Sequence, residues 1–450
     1  MQTASEYTQG EPYPAPAVGW YATILLALLY WLSVLDRFII SLLVDPIKQD
    51  LGLTDVQFGM LQGLAFLLSF TLFGFMFGAL ADRVDRRRLI FIGMSIWSLA
   101  TALCGFAQSF LHLLVGRAGL GAGEAALSPC ATSMISDLFP REKLTSAMAV
   151  YSIGATVGSG TALMVGGAIV YYASTLGDVV LPLVGQVRTW QVVFLMVGLP
   201  GLLLAFSVFT IPEPPRRGVR QALSTGRSWR SAYMDLFRFI RSRPRFFFCH
   251  YLGFTLATAG LTGGVGWYPV HMMRSFGWSE GRIGLILGIT LMTAGIAGKL
   301  ITGWVVDAMY RRGYRDAQLR WYAGCLLLGT PFGIIGALSD NPWVFLGGIG
   351  LFVTLATSMP ACAMTALNLV TPNQLRGTGV TVFTTIAALL GSSIGTVIIP
   401  FLSDHVFHSE SAIGLGIACL IGVSCPLGAV VLAGGLGAMR RAMAEAEREL

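Results

Sequence analysis

Residues 20–44 read WYATILLALLYWLSVLDRFIISLLV. This run is longer than the roughly 20 apolar residues that a helix needs to cross a bilayer, but Asp36 and Arg37 lie side by side inside it. An ionisable side chain at membrane depth costs between about 2.5 and more than 10 kcal/mol, so such residues face protein or water rather than lipid. Two adjacent charges of opposite sign indicate a substrate or ion pathway. The alternative is a satisfied pair near the helix end that serves only packing or topology.

The composition is that of a membrane protein. Of 450 residues, 54% are hydrophobic and 12% are charged, about half the charged fraction of a soluble domain. The net charge of +7 does not indicate nucleic acid binding, because the basic residues cluster in alternate loops. Apolar runs predict twelve transmembrane helices, spans 1 to 12, at residues 19–44, 57–82, 89–108, 110–138, 145–172, 189–211, 246–273, 281–307, 318–338, 342–369, 375–402 and 412–437.

The distribution of basic residues predicts the orientation. Most of the 30 Lys and Arg lie in the loops after even-numbered spans, in the central stretch and in the tail. The positive-inside rule places these segments in the cytoplasm. We therefore expect a multi-pass protein of the plasma membrane (the inner membrane of a bacterium) with both termini cytoplasmic. Residues 1–18 contain no Lys or Arg and are predicted to be a disordered cytoplasmic lead-in rather than a cleaved signal.

The chain contains an internal repeat with an offset of 225 residues. Three glycines and three charged residues recur, namely Gly59, Gly63, Gly78, Asp82, Arg86 and Arg87 at Gly284, Gly288, Gly303, Asp307, Arg311 and Arg312. Two parallel repeats of six helices usually place a substrate site between the halves, near the midplane. The predicted organisation is an N-terminal bundle (19–211), a basic cytoplasmic linker (212–245), a C-terminal bundle (246–437) and a cytoplasmic tail (438–450), the tail forming a short surface helix.

Span 2 is followed by a motif that reads GALADRVDRRR from Gly78 to Arg88. A glycine at this position lets a neighbouring helix approach closely, and the arginines are expected to contact anionic headgroups. The stretch resembles the G-x-x-x-D-R-x-G-R-R signature of the major facilitator superfamily, with Asp85 in place of the usual glycine. In that family the element stabilises the outward-open state. The resemblance therefore implies a gating role for Gly78, Asp82, Arg83, Arg86 and Arg87, and for their counterparts Gly303 and Asp307.

Span 4 carries a second pair of charges, Arg117 and Glu124. They are seven residues apart, hence on one helix face and about 10.5 Å apart along the axis. This separation prevents a direct pair and leaves each side chain free for another helix. Arg117 could pair with Asp36, or Glu124 with Arg37.

A closer resemblance is to the spinster branch of the superfamily, the lysolipid and sphingolipid transporters. It rests on Leu35-Asp36-Arg37, Gly123-Glu124-Ala125 and Ser136-Asp137-Leu138-Phe139. The resemblance implies that both charge pairs line a central cavity and that the acid of span 1 responds to protons. We expect Asp36 to carry the coupling proton, with burial and the neighbouring arginines acting on it in opposite directions. Glu124 balances Arg37, takes part in coupling or meets a substrate amine.

These residues predict a substrate with an anionic or zwitterionic head. Arg37 and Arg117 are suited to phosphate or carboxylate because the arginine fork binds either in bidentate fashion. We predict a proton-coupled transporter of a lysolipid-like or sphingoid-like substrate, driven by the proton gradient without a cofactor. An organic-acid/proton symporter and a multidrug/proton antiporter are the alternatives. We expect a monomer that contacts substrate and membrane lipids but no nucleic acid.

Other readings are weaker. An intramembrane enzyme is disfavoured because no metal-ligand spacing and no activated serine or cysteine stands out.

Lys299 in span 8 could snorkel to the membrane surface or contact substrate. Two G-x-x-x-G pairs, Gly154/Gly158 in span 5 and Gly391/Gly395 in span 11, permit close helix contact. The resemblance to the major facilitator superfamily, in which these two spans face each other across the halves, implies that the pairs serve sliding contact between spans 5 and 11.

Overall fold

The computed structural model describes residues 13–81, 84–176, 179–181, 185–215 and 229–448. Helices occupy all six spans predicted in the first half, and the span numbers are kept as labels. Span 1 is Pro16–Ile39 with a 3-10 turn Ile40–Leu42, span 2 is Asp55–Gln62 and Leu64–Ala81, span 3 is Arg86–Cys104, span 4 is Phe110–Glu124 and Leu127–Leu138, span 5 is Arg141–Leu176, and span 6 is Thr189–Ala205 with a 3-10 turn Phe206–Thr210.

Helices also occupy the six spans of the second half. Span 7 is Pro244–Phe276, span 8 is Glu280–Arg311, span 9 is Ala317–Ala337, span 10 is Pro342–Ala356 and Met359–Val370, span 11 is Asn373–Ile386 and Ser393–Phe401, and span 12 is Ile413–Arg448. Nine helical stretches in the described part of the chain are long and apolar enough to cross a membrane. The count of twelve crossings stays a prediction.

Shorter elements connect these spans. A helix (Val44–Leu51) joins spans 1 and 2, and an antiparallel hairpin (Val179–Leu181 with Gly185–Val187) precedes span 6. The predicted linker contains a helix, Trp229–Ser242, called the linker helix below. We call the side of the molecule that carries it the linker face, and the side where spans 1 and 2 join the opposite face.

The tail differs from its prediction. The helix of span 12 runs without a break from Ile413 to Arg448, so the tail continues the membrane helix instead of forming a separate surface helix. The predicted N-terminal lead-in lies outside the described residues as far as residue 12.

Four spans are interrupted close to the middle of the molecule. Span 2 is interrupted at Gly63, span 4 at Ala125–Ala126, directly after Glu124, and span 10 at Thr357–Ser358. Span 11 contains a π-helical segment, Ala387–Ser392. Irregular backbone at membrane depth is tolerated where it is buried in protein or borders a cavity. The irregular segments of both halves therefore lie toward the centre of the molecule.

Two seams of small residues join the halves. At the first, a Cβ on Gly59 of span 2 would lie 2.6 Å from the carbonyl oxygen of Thr396 in span 11. At the second, a Cβ on Gly160 of span 5 would lie 2.5 Å from the carbonyl oxygen of Gly288 in span 8. Gly59 and Gly288 both belong to the 225-residue repeat. Residues of the repeat therefore lie at both close contacts between the halves.

The predicted pairing of spans 5 and 11 is wrong. Gly154 packs on Ala27 of span 1, and Gly391 packs on Thr255 and Thr258 of span 7. Each G-x-x-x-G pair thus tightens one half internally, while other glycines of span 5 face span 8 and Thr396 of span 11 faces span 2. The motif reports close approach but not the identity of the partner helix.

Candidate transport site

A cavity of about 440 Å³ lies between the two halves. Spans 1, 2, 4 and 5 line it from one side, and spans 7, 8, 10 and 11 from the other. Three cationic side chains line it, Arg37, Arg117 and Lys299, and no acidic residue is among the described residues of its wall. The remaining wall is largely apolar, including Phe38, Phe66, Leu67, Leu261, Val265, Leu291 and Val353. The cavity can therefore hold a negatively charged group and an apolar portion together.

Arg37 connects the cavity to a buried acid. Its Nε donates to Glu124 Oε2 at 2.5 Å, and its Nη2 donates to Ser33 Oγ at 3.3 Å. The Arg37 side chain is 29% exposed, whereas that of Glu124 is fully buried. The Oε1 atom of Glu124 has no hydrogen-bond partner among the described residues. Arg37 is thus shared between the cavity and a carboxylate that the cavity does not reach.

Arg117 is buried and holds backbone rather than a carboxylate. Its Nε donates to the carbonyl of Leu61 at 3.3 Å, and its Nη1 donates to the backbone carbonyl of Asp36 at 3.4 Å. The Arg117 guanidinium lies 5.6 Å from the ring centre of Phe66, and that of Arg37 lies 5.0 Å from the same ring. Both cations thus lie within cation–π distance of one aromatic ring, and this attraction offsets part of the cost of placing them near each other.

Asp36 lies behind the cavity wall. Its side chain is 1% exposed and faces Thr101 of span 3. Its Oδ1 atom has no hydrogen-bond partner among the described residues. Of the four charges expected in the cavity, Arg37 and Arg117 line it, whereas Asp36 and Glu124 form a buried layer within the first half. An ionised acid in such a place is costly unless it is paired. Glu124 has Arg37 as its partner, whereas the described residues offer Asp36 Oδ1 no hydrogen bond.

The halves are closed on the opposite face by ion pairs that the sequence reading did not find. Arg274, at the end of span 7, binds Asp55 at the start of span 2 in bidentate fashion, at 2.6 and 2.9 Å. Arg274 also binds Asp45 at 2.6 Å, and Lys48 binds Asp55 at 2.5 Å and Glu410 at 3.1 Å. We call these five residues the outer cluster. Their charges were visible as the few ionisable residues of the sparse loops, but no pattern in the sequence pairs them.

Beneath the outer cluster, one more polar contact crosses the halves. The Gln62 side-chain amide donates to the carbonyl of Gly266 at 3.2 Å, and both residues line the cavity. By contrast, a Cβ placed on Gly78 or on Gly303, at the linker face, would meet no atom within 4 Å. Among the described residues, polar contacts thus close the opposite face. On the linker face, the motif glycines Gly78 and Gly303 have free space around them.

The predicted gating motif is described in part. Asp82 and Arg83 lie outside the described residues. Arg86 is 1% exposed and binds Asp137 at 2.5 Å and Glu213 at 2.7 Å, so the expectation that it contacts lipid headgroups is wrong. Arg87 donates to the carbonyl of Ile211 at 3.2 Å. Arg86 and Arg87 thus hold the start of the linker against the first half.

Asp85, which replaces the glycine of the family signature, has a structural role at the start of span 3. Its side chain caps the helix of span 3 by accepting hydrogen bonds from the backbone N–H of Arg87 and Arg88, at 2.9 and 3.2 Å. Burial raises the pKa of Asp85, but hydrogen bonds from Arg87 and from these amides outweigh it and hold the pKa below its ordinary value.

In the second half, Gly303 and Asp307 line a separate cleft of about 330 Å³ between spans 8, 9 and 10. Lys299 borders both this cleft and the central cavity. Lys299 lies one turn before Gly303, at the boundary between the two spaces. Its side chain therefore faces protein cavities rather than the membrane surface alone.

The family follows from a match to known proteins. The family model "Major Facilitator Superfamily" matches residues 26–396. The chain belongs to this superfamily. Its members are transporters rather than enzymes, which agrees with the prediction of no catalytic site. The two halves, the central cavity and the parallel repeat are the features expected of this fold.

Individual relatives support the branch. The chain is 28% identical over 90% of its length to an "MFS-type efflux pump" of Mycolicibacterium smegmatis (strain ATCC 700084 / mc(2)155), of which it covers 89%. It is 26% identical over 87% of its length to "Protein spinster homolog 1" of Xenopus laevis, of which it covers 74%. A crystal structure of a bacterial homolog of the human lysosomal transporter spinster, inward-facing and unoccupied, superposes with a TM-score of 0.76 over 95% of this chain and 98% of that one, at 24% identity. The spinster-like resemblance is confirmed.

Proposed function

We propose that this alternating-access transporter moves an amphipathic substrate with an anionic or zwitterionic head, of lysolipid or sphingoid type, coupled to protons. One observation carries the proposal. Three cations and a largely apolar wall share one cavity between the halves, and two buried acids lie directly behind it. This combination matches a charged head with an apolar chain, and it supplies groups that can exchange protons.

The head group would bind Arg37 and Arg117 from the first half and Lys299 from the second. Arginine presents a planar fork for phosphate or carboxylate, whereas lysine acts as a point charge. A ligand that contacts all three cations holds the halves together from inside the cavity. Substrate binding at this position would therefore favour an arrangement in which the two halves close around the cavity.

Proton coupling would follow from the shared use of Arg37. A bound anion competes with Glu124 for the Arg37 guanidinium, since the Nε atom that serves Glu124 belongs to the same fork. A released Glu124 would be a buried, unpaired carboxylate, and protonation removes this cost. Asp36 would take part through its own unpartnered oxygen. The arrival of substrate and the uptake of a proton are then linked through one side chain.

The linker face is proposed to be cytoplasmic, in line with the positive-inside rule. The outer cluster would then close the external side. A monomer is proposed as the functional unit.

The test is transport by purified protein in liposomes under an imposed pH gradient. Lysophosphatidic acid, a neutral monoacylglycerol and a hexuronate serve as candidate substrates, and Asp36→Asn and Glu124→Gln serve as variants. We expect pH-driven transport of the lysophospholipid, and loss of the pH dependence in both variants while exchange without a gradient persists. Undiminished pH-driven transport by Asp36→Asn would remove Asp36 from coupling.

A second candidate, an organic-acid/proton symporter, is favoured by the density of positive charge in the cavity. A volume of about 440 Å³ falls at the small end of ligand pockets, and three cations also suit a small organic anion without an acyl chain. Transport of the hexuronate without the lysophospholipid would select this candidate. Transport of the neutral lipid alone would contradict both and point to drug/proton antiport.

A further inference from the structure

The linker helix presents a mixed apolar and basic stripe that the transport site does not use. Among the linker-helix residues whose exposure is described, Met234, Phe237, Arg238, Arg241 and Ser242 are exposed. These positions are three and four residues apart, so they form one stripe along the helix. Met234 and Phe237 are 55% and 60% exposed, and together they form an apolar surface beside the two arginines.

The other face of the linker helix is attached to the second half. Leu236 is 2% exposed and contacts the position of Gly379 in span 11. Phe239 packs edge to face on Phe247 of span 7, with ring centres 5.7 Å apart. Arg243 pairs with Glu445 of the span 12 helix at 3.2 Å. The exposed stripe is therefore held outward by packing on its other side.

The stripe lies where the lipid-facing surface begins. Only Arg243 separates the linker helix from span 7, which starts at Pro244. Phe248, one turn into span 7, is 64% exposed, as expected of a side chain that faces lipid. An apolar surface that continues from a membrane helix onto an adjoining basic helix is typical of a segment lying in the headgroup region.

We propose that the linker helix lies in the headgroup layer of the linker-side leaflet and binds anionic phospholipid through Arg238 and Arg241, with Met234 and Phe237 inserted beside the acyl chains. Among the described residues, Arg238 contacts Asp235 of its own helix at 3.3 Å, and the Arg238 side chain is 74% exposed. Both arginines can therefore reach phosphate groups. This inference does not depend on the identity of the transported substrate.

The experiment uses the full chain in vesicles, with an environment-sensitive NBD label at Met234→Cys. Cys419 is replaced by serine because it is the exposed cysteine, and the other six are buried. Vesicles of phosphatidylcholine alone are compared with vesicles that also contain phosphatidylglycerol. We expect blue-shifted emission and loss of iodide quenching, both larger with phosphatidylglycerol, and loss of that difference in Arg238→Gln/Arg241→Gln.

Two controls make the outcome decisive. A label at Arg311→Cys, exposed on the linker face, should remain open to iodide in both vesicles, and Arg311→Gln/Arg312→Gln should leave the Met234 label unchanged. Iodide quenching at Met234 equal to that at Arg311 would overturn the proposal. So would protection that is equal with and without phosphatidylglycerol, or protection that is lost when the protein is diluted, which would indicate a second copy on this face.

Discussion

Arg274 at the end of span 7 holds Asp55 at the start of span 2 through two parallel hydrogen bonds, although the residues belong to different halves of the molecule. The Asp55 side chain is fully buried, and that of Arg274 is 10% exposed. Removing one partner of a buried pair typically costs about 3–5 kcal/mol because the other charge is left behind. The opposite face is therefore closed by a contact that the protein must break in each transport cycle.

Asp55→Asn is expected to open the opposite face. The substitution keeps the shape of the side chain but removes the charge that Arg274 and Lys48 share. Labelling Thr262→Cys in the cavity wall with an impermeant maleimide, in a Cys419→Ser background, measures access from that face. Arg282→Gln is the control, since Arg282 stacks on Trp278 of its own half. Equal labelling of the parent and Asp55→Asn would show that the outer cluster does not seal this face.

A methyl group at the second seam should separate the halves. In Gly160→Ala the new Cβ would lie 2.5 Å from the Gly288 carbonyl oxygen, and backbone cannot move aside as a side chain can. We expect increased access from the opposite face and a lower melting temperature. Gly347→Ala is the matched control, because nothing lies within 4 Å of its Cβ position. A melting temperature unchanged from the parent would contradict the close contact between spans 5 and 8.

Gly78→Ala, in contrast to Gly160→Ala, should not lower the stability of the protein. Nothing lies within 4 Å of a Cβ at Gly78 here, and alanine in place of a helical glycine gains up to about 1 kcal/mol of helix stability. The folded protein should therefore be as stable as the parent or more so. If Gly78 must approach another helix when the linker face closes, transport will be lost all the same. Full transport activity in Gly78→Ala would argue against a gating role for this glycine.

Lys299→Gln should weaken binding of an anionic substrate. The side chain borders the cavity and is exposed, and a hydrogen bond to a charged group is worth about 1.5–3 kcal/mol, or roughly 10-fold to 100-fold in Kd. Isothermal titration gives the affinity, and Lys143→Gln, exposed elsewhere on the chain, is the control. An unchanged Kd would leave Lys299 outside the binding site.

Asp85→Ala should lower stability by about 1 kcal/mol at neutral pH, the usual contribution of a helix N-cap. The pKa of Asp85 lies below its ordinary value, so its contribution is complete above the unfolded pKa of about 3.9 and falls as the pH drops through the folded value. Melting temperatures of the parent and variant should differ at pH 7 and converge in acid. A difference that does not change with pH would assign the effect to packing instead of the cap.

The sequence predicted much of this architecture because only a few backbone structures can cross a lipid bilayer. Apolar runs located all twelve helical segments, and the pairing of Arg37 with Glu124 was one of the two pairings expected. The other, Arg117 with Asp36, fails because the Arg117 guanidinium reaches backbone carbonyls instead. Which group an arginine reaches depends on the distance between helices, and residue spacing along one helix does not contain that distance.

The same reason explains the other errors. A G-x-x-x-G pair signals that some helix comes close, and the structure alone shows that Gly154 meets span 1 rather than span 11. Arg86 looks like its neighbours in a run of arginines, yet its partner Glu213 is 127 residues away. The outer cluster also joins residues far apart in sequence, such as Asp55 and Arg274, which are separated by 219 residues.

Arg86 also carries two different roles at two different times. It precedes Asp137 by 51 residues and Glu213 by 127, so during synthesis it leaves the ribosome before either carboxylate. At that stage Arg86 is an uncompensated cation and helps to decide which way these helices thread through the bilayer. Once the later carboxylates have been made, the same guanidinium is neutralised and buried. A residue that helps to direct insertion early thus becomes part of the folded interior later.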